Sequence, residues 1–323
     1  MKKVLILGAS GNLGKYLVDY FCTTQSDKYE IIAAGRKKQF FCDNVGVAFA
    51  YVDITKPDTF SNIPNDLYAI IDCAGILPAK MEGYQPEKYF EVNTLGTLNI
   101  LEFSRKHNVN KFLFTQTWAD LNGYLKEDAP LEPYAIPKLI YTGDHAVYAI
   151  SKNAAVDLIK HYNAQYGLNA YIFRLPNIYM YKKNSFYYLN GKKQQSSYRI
   201  MIDRAIRGES IELWGNPQKG KDIVYVKDFA QMIYNCVDVC NKSFGIYNVG
   251  TGVKTTMREQ IEGIINVFCE SKKSEIVLRP DKPDCVDFVM DIANAKEDLH
   301  YEPKFDYISY LKDFKREMNL DRF

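Results

Sequence analysis

The stretch Val4-Leu5-Ile6-Leu7-Gly8-Ala9-Ser10-Gly11-Asn12-Leu13-Gly14 decides the fold. Its first four residues are all apolar, with no polar residue alternating between them. That suits a parallel strand buried on both faces. Glycines at G-x-x-G-x-x-G spacing follow, and the pattern from Leu13 to position 23 reads as a helix. A strand, a glycine turn and a helix in immediate succession bring backbone N–H groups to the positive end of the helix, where a pyrophosphate binds. Gly8, Ser10, Gly11, Asn12, Leu13 and Gly14 are therefore expected to hold the phosphates of a dinucleotide.

The same alternation continues outward. Strand-like runs recur at 30–34, 48–52, 69–73, 111–115 and 171–175, and helical patterns at 89–107 and 148–166. In Leu95, Leu98, Ile100, Leu101 and Phe103 the apolar spacing mixes three and four, as on the buried face of a helix. Parallel neighbours need a crossover helix between them, so these units imply an α/β chain built on a doubly wound parallel sheet. Past Arg174-Leu175-Pro176 the character changes. Residues 182–198 are polar and rich in Lys and Tyr and read as a long loop. Beyond them come a helix at 200–206, a strand at 223–226, a helix near 227–239, a strand ending in Asn248-Val249-Gly250 and a helix from Thr256. The expected division is a dinucleotide-binding domain over 1–176, with about 222–243 packing back onto it, and a smaller C-terminal α/β lobe over 177–323 that mainly binds substrate.

Composition narrows the class. Lys and Arg number 41 against 39 Asp and Glu, a net charge of +2, so there is no electrostatic footprint for nucleic acid or an anionic membrane. The longest mostly apolar stretches, such as 69–79, fall short of the ~18 residues a membrane span needs. The seven cysteines (Cys22, Cys42, Cys73, Cys236, Cys240, Cys269 and Cys285) are scattered with no Cys-x-x-Cys pair, so neither a disulfide framework nor a metal site is expected. No signal peptide is read at the start, and a cytoplasmic location is expected.

Two further features carry chemistry. The second strand ends Ala33-Ala34-Gly35-Arg36-Lys37-Lys38. An acidic residue there would bind the ribose hydroxyls of NAD, whereas an arginine pairs with the 2′-phosphate of NADP. With no carboxylate and three cations, NADP is favoured and NAD remains possible; Arg36 can also stack on adenine. Downstream, Tyr148 and Lys152 lie four residues apart, on one face of a helix. A nearby ammonium, with the cofactor's positive nicotinamide, favours phenolate, lowering the tyrosine from its usual ~10 and making it a proton acceptor for an alcohol that loses hydride.

These motifs together resemble the extended short-chain dehydrogenase/reductase family, the nucleotide-sugar epimerases, dehydratases and reductases on a Rossmann-type sheet, over nearly the whole chain. The resemblance also takes in Tyr51-Val52-Asp53-Ile54, Asp72-Cys73-Ala74-Gly75, Val92-Asn93-Thr94-Leu95-Gly96-Thr97, Arg174-Leu175-Pro176-Asn177-Ile178-Tyr179, Lys221-Asp222 and Tyr247-Asn248-Val249-Gly250. It implies that Asp53, Ile54, Ala74, Gly75, Asn93 and Pro176 join Tyr148 and Lys152 around the cofactor. It further implies a hydroxyl partner for Tyr148, with Thr117 the better match and Thr115 the alternative. Thr117, Asn177, Trp214, Lys221 and Arg279 would meet a nucleotide-diphosphate sugar. The helices 89–107 and 148–166 would pair two subunits as a homodimer.

Departures shape the expected reaction. The Asp-Glu pair that eliminates water in 4,6-dehydratases is Trp118-Ala119 here, with Asp120 one position later. A lysine, Lys221, stands where an arginine is usual. The segment 134–147 is longer than the resemblance implies and carries Tyr134, Tyr141, Asp144 and His145. The expected function is an epimerase, an isomerase working by hydride transfer at a sugar carbon, expected at C4, with Thr117, Tyr148 and Lys152 as its site. Alternatives are an oxidoreductase that reduces a nucleotide 4-keto-sugar with NADPH, an enzyme of small alcohols or lactones, and a non-catalytic dinucleotide sensor.

Overall fold

β1 (Lys2–Leu7) is buried along its last four residues and lies inside a seven-stranded sheet. The computed structural model describes residues 1–24, 27–38, 46–80, 83–125, 129–143, 145–189, 191–270 and 272–323. Cys42 and Asp144 lie outside the described residues. β1 pairs in parallel with β2 (Tyr29–Gly35) on one side and β4 (Leu67–Asp72) on the other. β3 (Ala48–Tyr51) extends the sheet beyond β2, and β5 (Lys111–Thr117) and β6 (Asn169–Leu175) extend it beyond β4, all in parallel. The order reverses between β1 and β4, and the crevice at such a switch point is where doubly wound sheets bind ligands.

Both faces of the sheet are covered, which is why its strands are continuously apolar. Val4 and Ile6 pack with Tyr16, Leu17 and Phe21 of α1 (Asn12–Thr23). Leu5 and Leu7 share the opposite core with Ile100 and Leu101 of α2 and Val156 and Ile159 of α3 (Ala146–Tyr166). α2 comprises Pro86–Tyr89, the π-helical turn Phe90–Gly96 and Thr97–Lys106. α3 stops at Gly167, whose φ of 69° closes the helix with an N–H bond to the Asn163 carbonyl.

Two expectations about the second half need correction. The strand placed in the tail, β13 (Phe244–Asn248), is the seventh strand of the main sheet, parallel to β6 with Ile246 beside Ile172. Gly245 through Asn248 are buried, as in the other sheet strands, and strand pattern alone does not say which sheet a strand joins. The expected loop 182–198 contains a hairpin of β8 (Phe186–Leu189) and β9 (Lys192–Gln195), followed by α4 (Ser197–Arg207). Its Asn190-Gly191 dipeptide is a hairpin signal, masked by polar, exposed flanks, and Gly191 has φ of 72°.

The remaining elements are β7 (Ile178–Tyr179), β10 (Ile211–Trp214), β11 (Gly220–Asp222), β12 (Val224–Tyr225), α5 (Val226–Val239), β14 (Lys254–Thr256), α6 (Met257–Phe268), β15 (Ile276–Arg279), α7 (Ala293–Leu299) and α8 (Tyr307–Leu320). α5 returns to the α1 face of the sheet, where Tyr234 packs against Phe21 and Tyr29. Four shorter pairings, among them β10 with β15 and β7 with β12, lie outside the main sheet.

Candidate active site

The turn after β1 is shaped by what its glycines lack. Gly8 has φ of 74°, and a Cβ there would stand 2.8 Å from the Cys73 carbonyl. A Cβ at Gly14 would lie 2.2 Å from the Gly8 oxygen, so α1 starts hard against the turn. The Gly11 N–H donates to the Gly8 carbonyl at 2.8 Å. α1 has no side-chain cap and no acidic residue in its first turn, which leaves its N–H groups and positive end to an anion. Ser10 and Asn12 are half-buried at this turn.

Around the turn the expected cofactor residues divide into exposed and engaged groups. Arg36 projects into solvent after β2 with Lys37 and Lys38. Asp53, after β3, accepts at Oδ1 from the Thr55 N–H and hydroxyl (3.1 and 2.8 Å). Ile54 is packed under Gly96, where a Cβ would lie 2.7 Å from its Cδ1. Asn93 is buried in the π-helical turn. It accepts from the Ile76 N–H and donates to the Ile76 carbonyl and the Ser151 hydroxyl. Asn93 thus fixes the strand end at Gly75 and Ile76 against α2 and α3 through its own amide. Ala74 donates its N–H to Asp72 Oδ1 at 3.0 Å.

Thr117, at the end of β5, and Tyr148, in the first turn of α3, are brought together, near enough for the threonine hydroxyl to act on the phenol. The Thr117 hydroxyl also caps the following turn, accepting from the Ala119 N–H at 3.2 Å. Thr115 instead bonds the Asp72 carbonyl, so of the two threonines the structure brings Thr117 to the tyrosine. Tyr148 is 8% exposed and packs its ring 5.9 Å from that of Tyr89. Its phenol is pushed up to about 12 by burial, which outweighs the Thr117 hydrogen bond. Lys152 is not among the groups that move Tyr148; its ammonium lies 3.7 Å over the Phe114 ring. Burial lowers Lys152 to about 8, with Asp72 opposing. His145, ahead of α3, is exposed, with its ring 6.3 Å from that of Tyr148.

Past the end of β6, Pro176 is buried and Asn177 is exposed before β7. Lys221, on β11, has its ammonium 5.5 Å from the Tyr179 ring. Trp214 and Arg279 are register partners across β10 and β15. Trp214 donates its ring N–H to Glu212, and Arg279 is paired with both Glu212 and Asp281. The Arg279 guanidinium must therefore exchange a carboxylate for any phosphate it takes. Trp118, where a dehydratase carries its first carboxylate, packs on Phe288 with centroids 4.4 Å apart. Asp120 is buried and clasped by Arg174 (Nη2 to Oδ2, 2.9 Å), whose Nη1 also donates to the Pro133 carbonyl.

Two of these roles are not assigned from sequence. Asp72 is fully buried with Oδ2 unpaired, and burial raises its carboxyl to about 6. Its signal is an ionisable residue closing an otherwise apolar strand. The Asp120–Arg174 clasp joins positions far apart in the chain and has no local signal. Among the described residues no cluster of His, Cys, Asp and Glu is arranged to hold a metal, and no helix is long and apolar enough to cross a membrane.

The model of the NAD-dependent epimerase/dehydratase family matches residues 4–250. A putative UDP-glucose 4-epimerase of Methanocaldococcus jannaschii is 26% identical over 314 residues, spanning 94% of each chain. Among solved structures, a UDP-N-acetylglucosamine 4-epimerase from Methanobrevibacter ruminantium in complex with UDP-N-acetylmuramic acid aligns with a TM-score of 0.80 at 17% identity, over 99% of this chain and 98% of that one. The Thermus thermophilus UDP-glucose 4-epimerase in complex with NAD aligns at 0.75 and 23%, over 98% and 99%.

Proposed function

This chain belongs to the NAD-dependent epimerase/dehydratase family, and from that premise we propose that it is a nucleotide-sugar 4-epimerase working through Thr117, Tyr148 and Lys152. The observation that carries the reading is the meeting of the Thr117 hydroxyl with a buried Tyr148, one helical turn from Lys152 and beside the glycine turn of a doubly wound sheet. The relatives named above as UDP-sugar 4-epimerases support the substrate class.

The residues present fit a nicotinamide dinucleotide. Gly8 and Gly14 let the turn close against the Cys73 carbonyl and against the start of α1, and the uncapped start of α1 offers N–H donors. When bound there, such a group would supply an acceptor and donor of hydride for a sugar carbon. The chain's own part is to manage the proton. Tyr148 accepts the hydroxyl proton as the alcohol becomes a ketone and returns it on reversal, with Thr117 sharing the hydrogen bond to the reacting oxygen. The ammonium of Lys152 supplies positive potential that offsets the cost of a buried phenolate. Asp53 and Ile54 lie on the adenosine side, and Asn177, Lys221, Trp214 and Arg279 on the sugar-nucleotide side. Trp118 and Ala119 provide no acid–base pair for eliminating water.

A second reading has its own observation. Arg36, Lys37 and Lys38 stand exposed after β2, and the sequence Ala33-Ala34-Gly35-Arg36-Lys37-Lys38 holds no acidic residue, which favours NADP and a 4-keto-sugar reductase. Pairing of two subunits through α2 and α3 is supported by Phe90 and Leu95, exposed on α2, and Tyr166, exposed on α3. Among the described residues no cysteine is in a disulfide, which suits a reducing, cytoplasmic setting.

The test is to purify the protein without added cofactor, denature it, identify any released nicotinamide nucleotide by mass spectrometry, and assay UDP-sugar C4 epimers for interconversion. Retained nucleotide near one per chain, with interconversion lost in Tyr148→Phe, is expected. Protein that releases none, prefers NADPH and consumes it on a 4-keto-sugar would establish the reductase.

A further inference from the structure

We infer that Asp72 is a positioning residue for this site, a buried carboxylate that keeps the Lys152 side chain in its ammonium form. The inference rests on the proposed role of Lys152 beside Tyr148. Asp72 ends β4 and is the register partner of Phe114 on β5. Paired residues of parallel strands project from the same face. Lys152 reaches down from α3 onto that face, its Nζ 3.7 Å over the Phe114 ring, at the position next to Asp72. Both side chains are nearly sealed, Asp72 at 0% exposure and Lys152 at 4%. Asp72 Oδ1 takes the Ala74 N–H, while Oδ2 is buried without a hydrogen-bond partner. An unpaired carboxylate oxygen in a dry site is costly unless a cation answers it.

The groups acting on Lys152 from neighbouring elements are few. Asp72 and Cys73 come from the end of β4, Phe114 from β5, and Tyr148 lies one turn earlier on α3. The Cys73 thiol is pushed far up by burial, with the Asp72 charge adding to it, and stays neutral. Asp72 is therefore the anion that answers Lys152 among the described residues. Each group supports the charge of the other against burial, the carboxyl at about 6 and the ammonium at about 8. Between those limits both are ionised. The ammonium is the form of Lys152 that lends positive potential once a proton reaches or leaves the Tyr148 oxygen in the proposed reaction.

The test reads Lys152 directly. Protein carrying 13C-labelled lysine, with no cofactor added, is titrated by NMR, and the Lys152 ε-carbon is identified by its disappearance in Lys152→Met. In the unmodified chain the resonance should show its main step near pH 8 and a smaller inflection near pH 6, as Asp72 loses its proton. Asp72→Asn keeps an acceptor for the Ala74 N–H. There the inflection should vanish and the main step fall by about one unit, a tenfold smaller ammonium fraction at high pH. The alkaline limb of kcat/KM should move down with it, which a merely structural role would not produce. An unmoved step in Asp72→Asn overturns the inference. So does an unmodified chain without the inflection, which can be read even if the variant fails to fold. An unmoved titration together with turnover lost in Tyr148→Phe would remove this inference and leave the proposed function standing. The expected titration with no turnover on any nucleotide sugar would do the reverse.

Discussion

Replacing Lys152 by methionine should remove turnover and, in protein without added cofactor, make the fold more stable. The ammonium is almost sealed over an aromatic ring, and burial lowers it from 10.5 to about 8. At pH 7 both folded and unfolded chains carry that proton, so the native state bears the whole penalty of burying it, about 3 kcal/mol. Methionine has similar length and no charge. Part of the gain is offset because Asp72 loses its counter-charge, which leaves a net stabilisation of ~1–3 kcal/mol. For a chain of 323 residues, an unfolding entropy of ~2.1 cal/mol/K per residue converts this to a rise of ~2–4 °C in Tm. The pH dependence carries the sign. Between about pH 8 and 10.5 the unfolded chain holds more protons at this group than the folded one, so stability of the unmodified protein rises with pH there. The advantage of Lys152→Met should therefore shrink to about half or less by pH 9.5. Thermal and urea melts of both proteins at pH 7 and 9.5 measure this. A variant less stable at pH 7, or an advantage that does not change with pH, would refute the reasoning.

Three other outcomes are expected. Asp120→Asn leaves the buried Arg174 charge unanswered and should cost about 3–5 kcal/mol in urea unfolding; a loss below about 1 kcal/mol would mean that water reaches the guanidinium. Gly14→Ala sets a methyl 2.2 Å from the Gly8 carbonyl and should weaken dinucleotide binding at least about tenfold by displacing the turn, measured by fluorescence titration; unchanged affinity would move the phosphate site elsewhere. Thr117→Val should lower kcat ~100-fold or more, while Thr115→Val, which breaks only a bond to the Asp72 carbonyl, should act mainly on stability; the reverse order in steady-state kinetics would exchange their roles.

What the sequence makes legible here is what local pattern can encode. The continuous apolar runs of β1, β4 and β5 exist because both sheet faces are covered, so the doubly wound sheet and its helices could be read from them. The glycine turn was legible because its spacing is local, with Gly14 answering to the Gly8 carbonyl, although Gly8 answers to the Cys73 carbonyl after β4. Thr117 and Tyr148 could be matched to a family motif, yet only the fold brings their hydroxyls together. The raised phenol of Tyr148 in the protein alone had no local signal, because four-residue spacing says that two groups share a helix face but not how deeply each is buried. Lys152 turns to Phe114 and Asp72, and desolvation governs the phenol. β13 was misplaced for a related reason, since its partner, β6, lies far away in sequence. The hairpin at β8 and β9 had its turn signal in plain view, outweighed by the polar residues around it.

The position of β13 sets a schedule for the chain as it is made. β6 is complete at Leu175, but the strand that covers its outer side begins only at Phe244. At a synthesis rate of about 5–20 residues per second, roughly 3–14 seconds pass between the two. Throughout that interval Ala170 to Phe173, buried on both faces in the finished sheet, form an open edge of unpaired N–H and carbonyl groups. Such an edge is a template for another nascent chain. Losses during expression should therefore concentrate at this edge, and a polysome carrying many copies at this stage is where the protein is most exposed to its own kind.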